Sequence, residues 1–377
     1  MTDEELHSHL IGQQGGRAEL NTPVLIIELD ALDRNIARMA AFAEASSLSL
    51  RPHAKTHKSP DIARRQIAAG AIGICCAKLG EAEVLADAGI TSGLLVTSPV
   101  VSAPAIARLA ALNMRTQSLM CVVDCPANVA ALAAASTKPL TVIIDIDPGI
   151  RRTGVASPEA AVALLEAIRE QPTLHYAGVQ YYCGMQQHIV GFADRTAAMQ
   201  DRADYLRTVI AALTKAGGPP EIITGGGTGT HRIDASLGLF TELQVGSYVF
   251  MDTQYAVCDL TGDGEDSFET ALMIDSRIVS ANAQGMATLD AGFKAFSTDA
   301  EPPLLLSGAP EGSKYFFMGD EHGALLVPSG EVPALAEIVT LAAPHCDPTV
   351  NLYDTYHVVQ GDTLRALWPV AARGRSR

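Results

Sequence analysis

Eight short apolar runs, rich in β-branched residues, recur along this chain at 48–55, 72–77, 93–97, 118–123, 140–146, 175–181, 220–224 and 241–246. Ala-rich segments with helical spacing fill most of the gaps, at 60–69, 79–88, 103–112, 126–135, 157–170 and 194–215. A strand covered on both faces reads as a continuous apolar run, and parallel neighbours need a crossover, usually a helix. Eight such units over about 200 residues predict an α/β chain built on a parallel (β/α)8 TIM-like barrel. A doubly wound open sheet is the alternative that this rhythm alone leaves open.

From about residue 255 the rhythm breaks. Gly, Pro and Asp become frequent, and apolar runs at 270–280, 303–306, 315–318, 324–327 and 337–342 lack long helices between them. We therefore expect a barrel over 30–254 and a C-terminal mostly-β domain over 255–377. The apolar run at 23–29 precedes the barrel count, so segment 21–29 is assigned to the β-domain and 1–20 is read as a loose leader.

Charge and composition exclude several function classes. A net charge of −15 argues against nucleic acid or an anionic membrane as main partner, so any bound phosphate must be held by local donors. No apolar stretch reaches the roughly 18–20 residues of a membrane helix. The opening MTDEELHSHL has neither the basic nor the apolar region of a signal peptide. Seven cysteines form no regular framework, and Cys75 and Cys76 are adjacent. A reduced, cytoplasmic protein is expected.

The stretch Arg51-Pro-His-Ala-Lys-Thr-His-Lys58 ends the first barrel run. In an extended chain Arg51, His53, Lys55 and His57 share one face. Cations on a core strand call for an anionic partner, and a lysine among other cations can lose its proton and form a Schiff base. A solvated basic turn is the alternative. Barrel active sites lie at the strand C-termini, which would point Lys55 into the mouth.

After the seventh run comes Thr224-Gly-Gly-Gly-Thr-Gly229. Glycines let backbone N–H groups approach an anion, and barrels commonly bind phosphate in the loops after strands seven and eight. No Gly-Lys-Ser/Thr follows, so this is not a Walker loop; a tight turn is the bland alternative. Gln244-Val-Gly-Ser-Tyr248 can add donors. A phosphate site together with an aldehyde-binding lysine points to pyridoxal 5′-phosphate. Further along, Pro344-His-Cys-Asp-Pro-Thr349 sets His345 and Asp347 two apart, facing the same way if extended, with Cys346 opposite. That pair suits Mn²⁺, Mg²⁺ or Zn²⁺, and a surface loop is the alternative. Smaller signals are Arg151-Arg152 after run five, Tyr182, Gln187 and His188 after run six, and Asp320-Glu-His-Gly323 in the β-domain. His188 is a candidate acid or base. Gln187 and Asp320 are candidate substrate contacts.

Taken together, RPHAKTHK (51–58), TGGGTG (224–229), ELQVGSYVFMD (242–252), DEHG (320–323) and HCDPTVNLYD (345–354) resemble the metal-activated D-threonine aldolases. These stand with D-serine dehydratases among the alanine racemase-like, fold type III enzymes. The resemblance covers nearly all of the chain after residue 20. It implies a homodimer acting on a small D-amino acid. It also implies that Lys55 is the Schiff-base lysine, that Arg152 contacts the cofactor ring, that Tyr182 stands at the ring's side, and that His53 is among the cofactor-binding residues. Thr224, Gly226, Gly227, Thr228, Gly246, Ser247 and Tyr248 match the phosphate segments. His345 and Asp347 match the metal pair, and His188 matches a histidine near the metal. Cys183 departs from the pattern, where a polar residue is expected. The dehydratases resemble His-x-Cys at the metal pair, whereas Asp347 is a harder ligand that suits Mn²⁺ or Mg²⁺. That position favours retro-aldol cleavage to glycine and an aldehyde over dehydration. D-3-hydroxyaspartate aldolase and D-serine or D-hydroxyaspartate dehydratase are the alternatives.

Overall fold

The computed structural model describes residues 1–264 and 268–377. The chain divides into two compact units, one comprising Met1–Ala37, Ser247–Val257 and Ser267–Arg373, the other Arg38–Gly246, Cys258–Asp266 and Gly374–Arg377.

The second unit contains the predicted barrel. Its parallel strands are Ser49–Leu50, Ile74–Cys76, Leu94–Val96, Leu119–Val123, Leu140–Asp145, Leu174–Tyr181, Ile222–Gly225 and Glu242–Leu243. Neighbours in chain order pair from the second strand to the eighth, and the first pairs with the eighth. A parallel bridge between His53 and Cys75 joins the first strand's extension to the second and closes the ring. Helices of the Ala-rich segments connect the strands. Several start with Pro in the first turn behind a serine whose Oγ accepts a backbone N–H, as at Ser59, Ser102 and Ser157. These residues satisfy donors that the helix itself leaves unpaired. Cys75, Leu95, Met120, Val122, Ile143 and Ala177 pack into one buried cluster inside the barrel.

The other unit is built around a largely antiparallel nine-stranded sheet. The early strand Val24–Glu28 sits between Leu272–Ala283 and Thr355–Gln360 in that sheet. Two features differ from the sequence reading. Residues 1–20 are folded, not loose: Asp3–His7 forms a helix with a Thr2/Glu5 capping box, and Leu10 and Leu20 pack with Val24, Ile26, Val359 and Leu364. Burying those leucines stabilises the segment by roughly 2 kcal/mol each. In addition, Met286–Leu289 and the hairpin Thr355–Gln360/Thr363–Pro369 are strands that the sequence reading did not mark.

Candidate active site

Strand one ends at Leu50, and residues 54–57 turn sharply. The extended alternation expected for 51–57 therefore breaks, and the basic residues separate into different roles. Arg51 is buried inside the barrel. Its Nε and Nη2 donate to the two carboxylate oxygens of Glu242 at 2.8 Å each, and Nη1 donates to the Gly93 carbonyl. Lys58 is also buried and pairs with Glu81 at 2.5 Å. Both charges are already neutralised, so neither serves as an anion receptor; for Arg51 this is contrary to the shared-face expectation.

His53 and Lys55 line a cavity of about 570 Å³ at the strand C-termini, with Lys78, Thr97, Asp124, Arg152, Tyr182, Gln180 and Gln244 among the other wall residues. The backbone N–H of Lys55 donates to His53 Nδ1, which places the His53 proton on Nε2, donated to Thr97 Oγ1 at 3.1 Å. Arg152 stands over the Tyr182 ring, 5.5 Å from its centroid. This volume lies within the usual range of small-molecule sites. Lys55, Lys78 and Arg152 give the wall a cationic bias that suits a phosphorylated aldehyde.

Asp145 and Gln180 went unnoticed in the sequence. Asp145, at the end of strand five, is buried, and burial pushes its carboxyl up to about 6. Gln180 Nε2 and Thr153 Oγ1 donate to it and oppose that shift. Gln244 Nε2 bridges Gln180 Oε1 and Thr224 Oγ1. Thr224, expected at the cofactor phosphate, thus uses its hydroxyl in an interior amide chain. The available signal was a polar residue at the end of an otherwise apolar barrel strand.

The glycine loop is held tightly from behind. Gly226 has φ +73°, which disfavours any side chain, and a Cβ there would meet Asp234 Oδ2 at 2.5 Å. Thr228 is buried, and its carbonyl accepts from His231 Nδ1–H at 2.8 Å. Burial pushes His231 down to about 4, so its ring is neutral near pH 7. Gln187 was expected to touch substrate. Instead it is fully buried, with its amide bonded to Gly229, Cys183 and Thr230. His188, next in the chain, is exposed. Cys183 is buried, and burial raises its thiol to about 12, which leaves it unreactive.

In the other unit, Ser247 and Tyr248, which follow Gly246 in the chain, are both buried, with Tyr248 edge-on to Phe268. Asp320 lies on an exposed turn, its carbonyl accepting from Lys294 N–H. His345 does not lead an extended segment; it precedes the short helix Cys346–Val350. A distant residue supports this start: Asp252 Oδ2, 94 positions away, accepts the first helical N–H, that of Cys346, at 2.9 Å. The pair still converges, with His345 Nε2 4.0 Å from Asp347 Oδ2. Asp299, absent from the sequence reading, accepts His345 Nδ1–H at 2.7 Å. That bond fixes the tautomer and leaves the Nε2 lone pair directed toward Asp347. Two donors each about 2.1 Å from one ion are separated by roughly 3–4 Å, so the residues fit a divalent cation.

Comparisons with known proteins give the family. The family model described as "Alanine racemase, N-terminal domain" matches residues 27–254, and "Putative serine dehydratase domain" matches 271–359. The chain is 37% identical to a 3-hydroxy-D-aspartate aldolase of Paracoccus denitrificans (strain Pd 1222), over 95% of this chain and 93% of that one. It is 35% identical to a D-threonine aldolase of Arthrobacter sp, over 96% and 94%. The crystal structure of D-threonine aldolase from Filomicrobium marinum superposes with a TM-score of 0.90 at 37% identity, covering 95% and 97%. A barrel of alanine racemase type with a lysine in its mouth defines an enzyme of the fold type III class. Within that class, the chain belongs to the family of D-threonine and 3-hydroxy-D-aspartate aldolases, which are lyases.

Proposed function

We propose that this protein is a pyridoxal 5′-phosphate- and divalent-metal-dependent aldolase that cleaves D-β-hydroxy-α-amino acids of the D-threonine type to glycine and an aldehyde. One observation carries the reading: Lys55 shares a cationic cavity at the barrel mouth with Arg152 and Tyr182. Lys55 holds the cofactor aldehyde, with His53, Arg152 and Tyr182 against the ring. Gly226, Gly227 and Thr228, with Gly246, Ser247 and Tyr248 after strand eight, serve the phosphate. Bound there, pyridoxal phosphate supplies an electron sink for the pair released when Cα–Cβ breaks. His345 and Asp347 hold Mn²⁺ or Mg²⁺, with Zn²⁺ a competent substitute, and the ion supplies Lewis acidity toward the β-oxygen. His188 takes the β-hydroxyl proton on an imidazole nitrogen. In the working protein, 30–254 forms the cofactor barrel and 255–377 with strand 21–29 forms the second domain. We read the enzyme as a cytoplasmic homodimer; its cysteines are all free thiols.

A second substrate has its own support. Lys78 is an exposed cation on the cavity wall, suited to the distal carboxylate of D-3-hydroxyaspartate. The test is product analysis with pyridoxal phosphate and Mn²⁺, with and without excess chelator. Acetaldehyde and glycine from D-threonine, lost with chelator, are expected. 2-Oxobutanoate would make the chain a dehydratase. Glyoxylate and glycine from D-3-hydroxyaspartate, with D-threonine inert, would select the second substrate.

A further inference from the structure

Behind the glycine loop, a buried polar chain runs through Gln187, Thr230 and Asp234, none of which has more than trace exposure. The Gly229 N–H donates to Gln187 Oε1 at 3.0 Å. Gln187 Nε2 donates to the Cys183 carbonyl at 3.1 Å and to Thr230 Oγ1 at 2.9 Å. Having accepted that bond, the Thr230 hydroxyl donates its own proton to Asp234 Oδ2 at 2.5 Å. With the Asp234 carboxylate ionised, the Gln187 amide and the Thr230 hydroxyl therefore each have one direction along this relay. The fit is also steric: a Cβ on Gly227 would meet Gln187 Oε1 at 2.4 Å, and one on Gly229 would meet the Gln187 carbonyl oxygen at 1.9 Å. Gln187 belongs to the segment after strand six that also carries Tyr182 and His188. Farther along, that segment is anchored by Arg195, whose guanidinium donates to the carbonyls of Ile189 and Asp259.

We propose that Gln187 is a positioning residue that pre-forms the glycine loop for the cofactor phosphate and ties it to the segment bearing Tyr182 and His188. This rests on the pyridoxal phosphate reading above. An unbraced triple-glycine loop samples many backbone conformations, and ordering it on binding weakens affinity. A brace that orders it beforehand removes that cost, and only for ligands that carry a phosphate.

The experiment compares dissociation constants for pyridoxal 5′-phosphate and pyridoxal, read from imine absorbance of the full chain stripped of cofactor. Wild type should prefer the phosphate form. Gln187→Met should weaken pyridoxal phosphate by about tenfold or more while changing pyridoxal by less than about threefold. Gln187→Glu keeps the acceptor for Gly229 but loses both amide donations, to the Cys183 carbonyl and to Thr230 Oγ1. Its deficit should shrink on acidification, as protonation restores an O–H donor. If the Met variant fails to fold, Thr230→Val should reproduce the phosphate-selective loss and Thr230→Ser should not. Retained phosphate preference in both Gln187→Met and Thr230→Val would overturn the proposal. Equal affinity of wild type for the two ligands would instead overturn the phosphate reading on which it stands.

Discussion

Replacing Arg51 by Met should destabilise the barrel in a pH-dependent manner whose size follows from the geometry. The Arg51 and Glu242 side chains are 5% and 3% exposed, so the substitution leaves a carboxylate buried without its partner. Stranding one member of such a pair typically costs about 3–5 kcal/mol. The orphaned Glu242 can escape by taking up a proton. From an ordinary value of about 4.3, protonation at pH about 7 costs roughly 3.7 kcal/mol, at about 1.4 kcal/mol per pH unit. The lost bond to the Gly93 carbonyl adds about 1 kcal/mol. The penalty is thus about 4–5 kcal/mol near pH 7 and about 2 kcal/mol near pH 5. The sign follows from linkage. In the variant the folded-state pKa of Glu242 lies above its unfolded value, so stability is retained below about pH 4.3 and is lost as pH rises. Urea unfolding of wild type, Arg51→Met and the double variant Arg51→Met/Glu242→Met at both pH values would test this. The double variant should recover most of the loss and show no excess pH slope. A penalty below about 1 kcal/mol near pH 7, or one independent of pH, would refute the reasoning.

Two other outcomes follow from groups around the sites. Asp299→Asn should weaken Mn²⁺ binding about 10- to 100-fold, measured by titration calorimetry, because a neutral amide at that position no longer fixes the His345 tautomer as the carboxylate does; unchanged affinity would remove Asp299 from the metal site. The Asp145 carboxyl, raised by burial to about 6, favours the folded state when protonated. Its contribution to stability should be intact below about pH 4 and decline as pH rises toward about 6. Asp145→Asn should flatten that part of the stability–pH curve, and an unchanged slope would count against the assignment.

The barrel was legible because its signal is local: each strand is a short apolar run, and each run is separated from the next by a helix-spaced segment. Lys55 was legible for the same reason, since a strand-end rule needs only the position of the strand. What the sequence hid was pairing over distance. Arg51 and Glu242 are 191 positions apart, and His345 and Asp299 are 46 apart. Without those partners Arg51 looks like an anion receptor and His345 has no fixed tautomer. Gln187 misled for a related reason: a glutamine beside a candidate base looks like a substrate contact until its amide is seen satisfied by Gly229, Cys183 and Thr230. The hairpin at 355–369 did carry a local cue in its Gly361-Asp362 turn after the β-branched Val358-Val359, and its second strand is the harder to read, with Thr363 its one β-branched residue and Arg365 an extra residue in the register.

The electrostatics of the mouth follow from which charged groups line it. A chain of net charge −15 repels anions at long range, and salt screens that field beyond roughly 8 Å. Inside that distance the wall residues decide. Arg51 and Lys58 are neutralised by Glu242 and Glu81, and buried pairs of this kind add little outward field. Lys55, Lys78 and Arg152 share the cavity wall with a single carboxylate, that of Asp124. The excess is two positive charges, obtained by setting those three cations against that one acid. Such a cavity suits an anionic ligand through local charge, although the chain as a whole is acidic. The first barrel strand therefore serves two separate ends from one basic stretch. Arg51 locks the strand to strand eight, and Lys55, four residues on, is delivered to the mouth by that lock.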